Sequence, residues 1–269
     1  MLTLRSPFIY DRSVPPSRFV GRKREIRVIF GRAEFGSVTL CGERLIGKTS
    51  LLHYVADPDI VKGWGITPDQ YILIYLNCQA ITGFTSTTFW QMVLYLLSRR
   101  LSATELGMRI EQLYHQKEIH YTDIDDVLYE IDKQGKKLIL LLDEFEWAIR
   151  TYTDSEVVTA RDFLSRLRAL IDMYPALSLI TATCDPLEVL CGPIEFIGSP
   201  FYNGFASVRL ERFTREESEE LIDQALKGTG IEFSEEDRAF VYKVSEGRPY
   251  WLQNACFKLF EGKTRTFSR

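Results

Sequence analysis

The segment Gly42-Glu43-Arg44-Leu45-Ile46-Gly47-Lys48-Thr49-Ser50 constrains this chain more than any other feature, because it fits the pattern G-x-x-x-x-G-K-[ST]. The spacing suits a tight loop whose backbone N–H groups converge on phosphate oxygens. The helix that follows turns its positive N-terminal end toward the same anion. In such a loop Lys48 reaches the β- and γ-phosphates, Thr49 ligates Mg²⁺ and Ser50 touches the α-phosphate, while Glu43, Arg44, Leu45 and Ile46 supply the intervening backbone. The pattern works only between a strand and a helix. Residues 37–42 are short, β-branched and largely apolar, and residues 48–56 read as a helix that stops before Pro58.

A second motif lies about a hundred residues downstream. The run Lys136-Lys137-Leu138-Ile139-Leu140-Leu141-Leu142-Asp143-Glu144 is solidly apolar and ends in two acids, as expected of a strand buried on both faces of a parallel sheet. At the carboxyl end of such a strand Asp143 would support the Mg²⁺ shell, and Glu144 would polarise the attacking water as the catalytic acid–base group beside Lys48.

The bulk figures exclude several classes. A chain of 269 residues suits one large domain, alone or with a small appendage, and 45% apolar residues are enough for a core. A net charge of −4 disfavours a surface dominated by nucleic acid or membrane. Arg18, Arg22, Lys23, Arg24, Arg27 and Arg32 form a local basic stretch that reads as a solvated helix face. The five cysteines show neither a zinc pattern nor a disulfide framework, which suggests a reducing compartment. No apolar run is long enough to span a bilayer, no signal pattern opens the chain, and a cytoplasmic protein is expected.

The alternation of runs predicts a three-layer α/β domain with a parallel sheet. Strands are expected at 37–42, 70–77, 138–143, 177–183 and 206–210. Helices are expected at 22–32, 48–56, 86–101, 122–134 and 155–173, with a long loop over 184–205 carrying Pro186, Pro193 and Pro200. After Phe213 only helical patterns follow: one opened by the capping box Thr214-Arg215-Glu216-Glu217, one opened at Ser234, and one from Pro249 to about Phe260. The division expected is a lead-in and first helix over 1–35, the α/β core over 36–211, a small all-helical lid over 212–262 and a tail over 263–269.

Three further stretches narrow the class. Arg18-Phe19-Val20-Gly21-Arg22 resembles the "FVGR" box of AAA-like and STAND P-loop ATPases, which implies that Phe19, Val20 and Gly21 lie against the adenine. Thr183, polar at the end of an apolar strand, resembles their sensor-1 position. Gly247-Arg248-Pro249-Tyr250-Trp251-Leu252-Gln253 resembles the G-x-P motif of the lid, which implies nucleotide contacts for Arg248 and Pro249. Two departures stand out. Cys184-Asp185-Pro186 follows Thr183 where an arginine is common, and Arg248 occupies a position that is often histidine. The guanine-specifying N-K-x-D segment and an L-S-G-G-Q-like signature are both absent, so ATP is favoured over GTP and an ABC-type transporter is disfavoured.

The resemblance covers about residues 15 to 260. It implies an ATP- and Mg²⁺-dependent, slowly hydrolysing switch that alternates between ATP and ADP, moves its lid and assembles with protein partners or with copies of itself. Nucleic acid is not favoured as a ligand. The chain stops soon after its last helical pattern, so sensor or effector domains elsewhere in a longer chain, or separate partners, are expected. The alternative is a DNA-associated ATPase resembling origin-recognition or transposition regulators, although no room is seen after residue 261 for a winged helix.

Overall fold

Strand β1 (Ser37–Cys41) is buried along its whole length, and its carboxyl end runs directly into the glycine-bounded loop. In the computed structural model, which describes residues 5–33, 36–149, 154–192, 194 and 198–267, it pairs with β4 (Leu177–Thr183) on one side and β5 (Phe205–Arg209) on the other. Strand β3 (Lys137–Asp143) lies between β4 and β2 (Tyr71–Asn77), so the order is β2-β3-β4-β1-β5 with every pair parallel. The loop-bearing strand and the acid-bearing strand are therefore separated by one strand, and the carboxyl ends of β1, β4 and β3 stand side by side. That edge is where an open parallel sheet presents a ligand crevice.

Helices cover both faces. Helices α1 (Lys23–Ala33) and α2 (Lys48–Ala56) bury Ile26, Ile29, Leu51, Leu52 and Val55 against Val38, Leu40, Ile139, Leu141 and Ile180. A short α3 (Pro58–Gly63) follows α2 directly, its first turn capped by the Asp57 side chain, which accepts from the N–H groups of Asp59 and Ile60. The opposite face is covered by α4 (Ser86–Arg100), α5 (Glu105–Tyr114), α6 (Tyr121–Lys133) and α7 (Asp154–Met173), with Phe89, Leu94, Leu97 and Phe163 packed on Leu138, Leu140 and Leu179. The three-layer α/β architecture read from the alternation is the one observed.

Helices α3 and α5 have no counterpart in the sequence expectation. Each is short, and α5 is opened by the Thr104 hydroxyl accepting from Gly107 N–H at 3.1 Å rather than by an acidic capping box. The stretch expected to be one long loop contains a four-residue helix, α8 (Leu187–Leu190), whose Leu187 is fully buried beneath the sheet edge. Pro193, assigned to the same loop, lies outside the described residues.

Beyond β5 come α9 (Arg215–Leu226), α10 (Glu235–Ser245) and α11 (Pro249–Phe267). They share a third apolar cluster with two residues of the N-terminal segment, Phe8 and Val20. The last helix does not stop near Phe260 and leaves no free tail at residue 263. Phe260 is fully buried, and one turn later Lys263 Nζ pairs with Asp237 Oδ2 on α10 at 2.6 Å. Both contacts reward continued helix.

Candidate functional site

The loop between β1 and α2 is built on backbone shapes that few residues adopt. Leu45 has φ 65° and Gly47, the N-cap of α2, has φ 101°. No side chain caps α2, so the N–H groups of its first turn are not closed off by a side-chain acceptor. Gly42 is a packing requirement: a Cβ there would sit 3.0 Å from the Leu210 carbonyl oxygen and 3.1 Å from Ile46 Cγ2. Lys48 is only 6% exposed, and its ammonium donates to the carbonyl oxygens of Gly42 at 2.7 Å and Glu43 at 3.2 Å. Among the described residues it forms no ion pair. A buried cation whose close partners are carbonyl oxygens fits an anionic ligand better than an apolar one.

The acid strand meets this loop directly. Thr49 Oγ1 donates to Asp143 Oδ2 at 2.7 Å, bridging α2 and β3 across the intervening β4. Asp143 is 1% exposed and pairs with no cation among the described residues; Tyr75 O–H also donates to Oδ2, at 2.9 Å, and Glu144 N–H donates to Oδ1 at 3.1 Å. A hydroxyl beside a carboxylate is a hard-oxygen donor pair of the kind Mg²⁺ takes. Glu144 follows with φ 50° and ψ 43°, a left-handed conformation that is uncommon for a side-chain-bearing residue and is stabilised by its surroundings. Burial, then the charges of Glu146 and Asp143, raise its carboxyl above the ordinary range, with Lys48 and Arg44 pulling the other way.

Charged residues from three elements meet at the mouth of the loop. Arg248, between α10 and α11, donates to Glu43 Oε1 at 3.1 Å and to Glu246 Oε2 at 3.0 Å. Arg212, between β5 and α9, reaches the same two carboxylates at 3.4 and 2.9 Å. Glu43, inside the phosphate-loop pattern, is thus held by two arginines from beyond the sheet. Pro249 starts α11 beside this cluster. Arg44 and Leu45 stand exposed at the loop tip, and Ile46 is buried beneath it.

The "FVGR" stretch ties the loop to the C-terminal helices. Arg22 is buried with φ 59°; its N–H donates to Glu217 Oε1 at 2.9 Å, and its guanidinium donates to the Ile46 carbonyl at 3.1 Å and lies over the Phe213 ring. Gly21 passes against the same Glu217 side chain. Phe19 stacks on Tyr54 of α2 with centroids 4.5 Å apart, and Val20 is buried in the third apolar cluster. Both side chains are therefore engaged by protein. Upstream, Ile9 N–H donates to Gln253 Oε1, Ser13 Oγ bonds His53 Nδ1, and Val14 N–H donates to Ser50 Oγ at 3.2 Å.

Thr183 touches the loop through its backbone, accepting from Gly42 N–H at 3.3 Å, while its hydroxyl donates to the Asp185 carbonyl at 2.7 Å. The next residue, Cys184, brings its sulfur within 3.9 Å of Lys48 Nζ. Tyr75, Arg212, Arg22 and Cys184 were not among the predicted site residues, although Arg22 belongs to the FVGR stretch and the basic stretch, and Cys184 to the departure after Thr183. Motif neighbourhood marked those two; Tyr75 and Arg212 lie outside any motif, and only strand order and chain crossing bring them here.

Fold and loop together define a three-layer α/β architecture of P-loop type, with the glycine-bounded loop at the carboxyl end of β1 and helices α9–α11 following β5. Similar solved structures include a Walker-type ATPase of Pyrococcus abyssi (17% identity, TM-score 0.65, 92% of this chain and 69% of that one). Two Aeropyrum pernix proteins are also similar: ORC2 in its ADP form (15%, TM-score 0.63, 97% and 68%) and ORC1 in complex with DNA (13%, TM-score 0.56, 91% and 61%). The chain thus spans roughly two thirds of the length of these archaeal chains, and at such identities the likeness speaks for the fold. No protein-family model and no curated protein matches the sequence. Among the described residues no helix is long and apolar enough to cross a membrane.

Proposed function

We propose that this chain binds ATP with Mg²⁺ at the loop and hydrolyses it slowly. In this reading it is a cytoplasmic switch of STAND/AAA-like type that couples nucleotide state to movement of helices α9–α11 and to assembly with a partner or with copies of itself. The observation that carries this reading is the 2.7 Å hydrogen bond from Thr49 to Asp143, made beside a buried lysine without an anionic partner among the described residues. Lys48 and the α2 N–H groups would bind the phosphates, Thr49 and Asp143 would hold the metal, and Ser50 would meet the α-phosphate. When bound, the metal supplies charge neutralisation at the phosphates. Glu144, its carboxyl raised by burial and acidic neighbours, would polarise the attacking water. Arg248, which donates to Glu43, would exchange that carboxylate for phosphate oxygens. The adenine would lie along the backbone of Phe19, Val20 and Gly21, with Thr183 and Pro249 at the edges of the pocket.

The test is nucleotide binding and turnover with two variants. Lys48→Ala is expected to lose ATP binding, and Glu144→Gln to retain ATP and stop phosphate release. Equal turnover by wild type and Glu144→Gln would remove the role given to Glu144.

A second reading, a DNA-associated ATPase, is supported by the likeness to an ORC1 chain solved with DNA. The mild net negative charge does not weigh against it, since a local patch suffices and α1 exposes Lys23, Arg24, Arg27 and Arg32. DNA binding that requires ATP and falls steeply with salt would favour this reading over the switch.

A further inference from the structure

The carboxylate of Asp143 is oriented by donors from three separate elements: Thr49 on α2, the backbone of Glu144, and Tyr75 on β2. The third is the unexpected one. Asn77 is the register partner of Asp143, yet its side chain is used elsewhere, accepting from Gln79 N–H at 2.9 Å. Tyr75 is paired in register with Leu141, two residues before Asp143 and therefore on the same face, and its ring is long enough to carry the hydroxyl up to Oδ2. The ring is itself held. His53, one turn after Thr49 on α2, meets it edge-on with centroids 4.4 Å apart and planes at 64°. Thus α2 grips Asp143 twice, directly through Thr49 and indirectly through His53 and Tyr75.

We propose that Tyr75 is a positioning residue for the divalent cation: its hydroxyl fixes the rotation of the Asp143 carboxylate that Mg²⁺, held with Thr49, requires. The proposal rests on the nucleotide reading above and deepens it. Outer-shell donors to metal-ligating carboxylates typically alter metal affinity by about 10- to 100-fold when removed. Tyr75→Phe keeps the ring, its packing on His53 and the second donor to Oδ2, so it isolates the hydroxyl.

The experiment titrates a fluorescent ATP analogue into the wild-type chain, Tyr75→Phe, Asp143→Asn and the double variant, in EDTA and at graded Mg²⁺. Thermal melting of each protein is measured alongside. The expected result is unchanged affinity in EDTA, a Mg²⁺ midpoint about tenfold higher for Tyr75→Phe, and no added effect of that change on the Asp143→Asn background. A Mg²⁺ midpoint equal to wild type, or an equal loss of affinity with and without Mg²⁺, overturns the proposal and leaves Tyr75 a packing residue, whatever its melting temperature. A wild-type protein that binds no nucleotide in either condition overturns the nucleotide reading itself, which is a different result from either of these.

Discussion

Glu144 illustrates how a single residue can be strained and useful together. Its φ of 50° places a side-chain-bearing residue in a region that costs of the order of 1 kcal/mol, and its carboxyl sits near two other acids. Burial and those neighbours favour the protonated form, so the group's folded-state pKa lies above its unfolded value. The stability it contributes is full below the ordinary carboxylate range and is lost as pH rises through the raised value. At neutral pH the ionised group therefore opposes folding. Glu144→Gln is expected to raise the melting temperature at pH 7 to 8, with the gain disappearing in acid; a melting temperature that falls at pH 7 would contradict this. If Glu144 acts as base, the acid limb of kcat/KM should lie above the range of a free carboxylate. Lys48, Thr49, Asp143 and Glu144 were legible because two motifs of known spacing name them. Tyr75 and Arg212 were not, because their roles depend on which strand neighbours which and on where the chain crosses, and neither fact has a local imprint.

At the scale of elements, the loop between β1 and α2 is held by packing from Leu210, just after β5, as well as by its own turn. Since a Cβ on Gly42 would press on the Leu210 backbone, which cannot swing aside as a flexible side chain would, Gly42→Ala should shift the loop. The expected outcome is a loss of ATP affinity together with a melting temperature lowered by the equivalent of about 1–3 kcal/mol; isothermal titration and thermal melting check both. The strands and longer helices were readable to within a residue or two. The buried runs and the caps at Thr214 and Ser234 mark their ends plainly, and both caps form as capping boxes in the structure. Helix α11 was misjudged because its continuation is fixed by a partner on another helix. Lys263→Ala, which removes the 2.6 Å pair to Asp237, is expected to fray the last turns and raise amide exchange after Phe260 while leaving the sheet unchanged.

For the whole molecule, what joins the sheet to the C-terminal helices at the loop mouth is largely electrostatic. The pairs from Arg212 and Arg248 to Glu43 and Glu246 are partly exposed, so each contributes little, on the order of 0.5 kcal/mol. Such a clasp is weak and salt-sensitive. Glu43→Gln should leave both arginines paired with Glu246 alone and so more readily turned toward phosphate, raising ATP affinity about threefold at low salt, with the gain shrinking near 0.5 M salt as screening tightens to about 4 Å. An affinity that drops instead would mean that Glu43 serves the ligand directly.

The N-terminal segment places a limit on any opening between α2 and α11. It is moored at Ile9 on Gln253 of α11 and again at Ser13 on His53 of α2. Four residues of chain reach no further than about 14 Å when pulled straight. A wider gape between those two anchorages would tear one of them loose, so the leash caps how far the two helices can part.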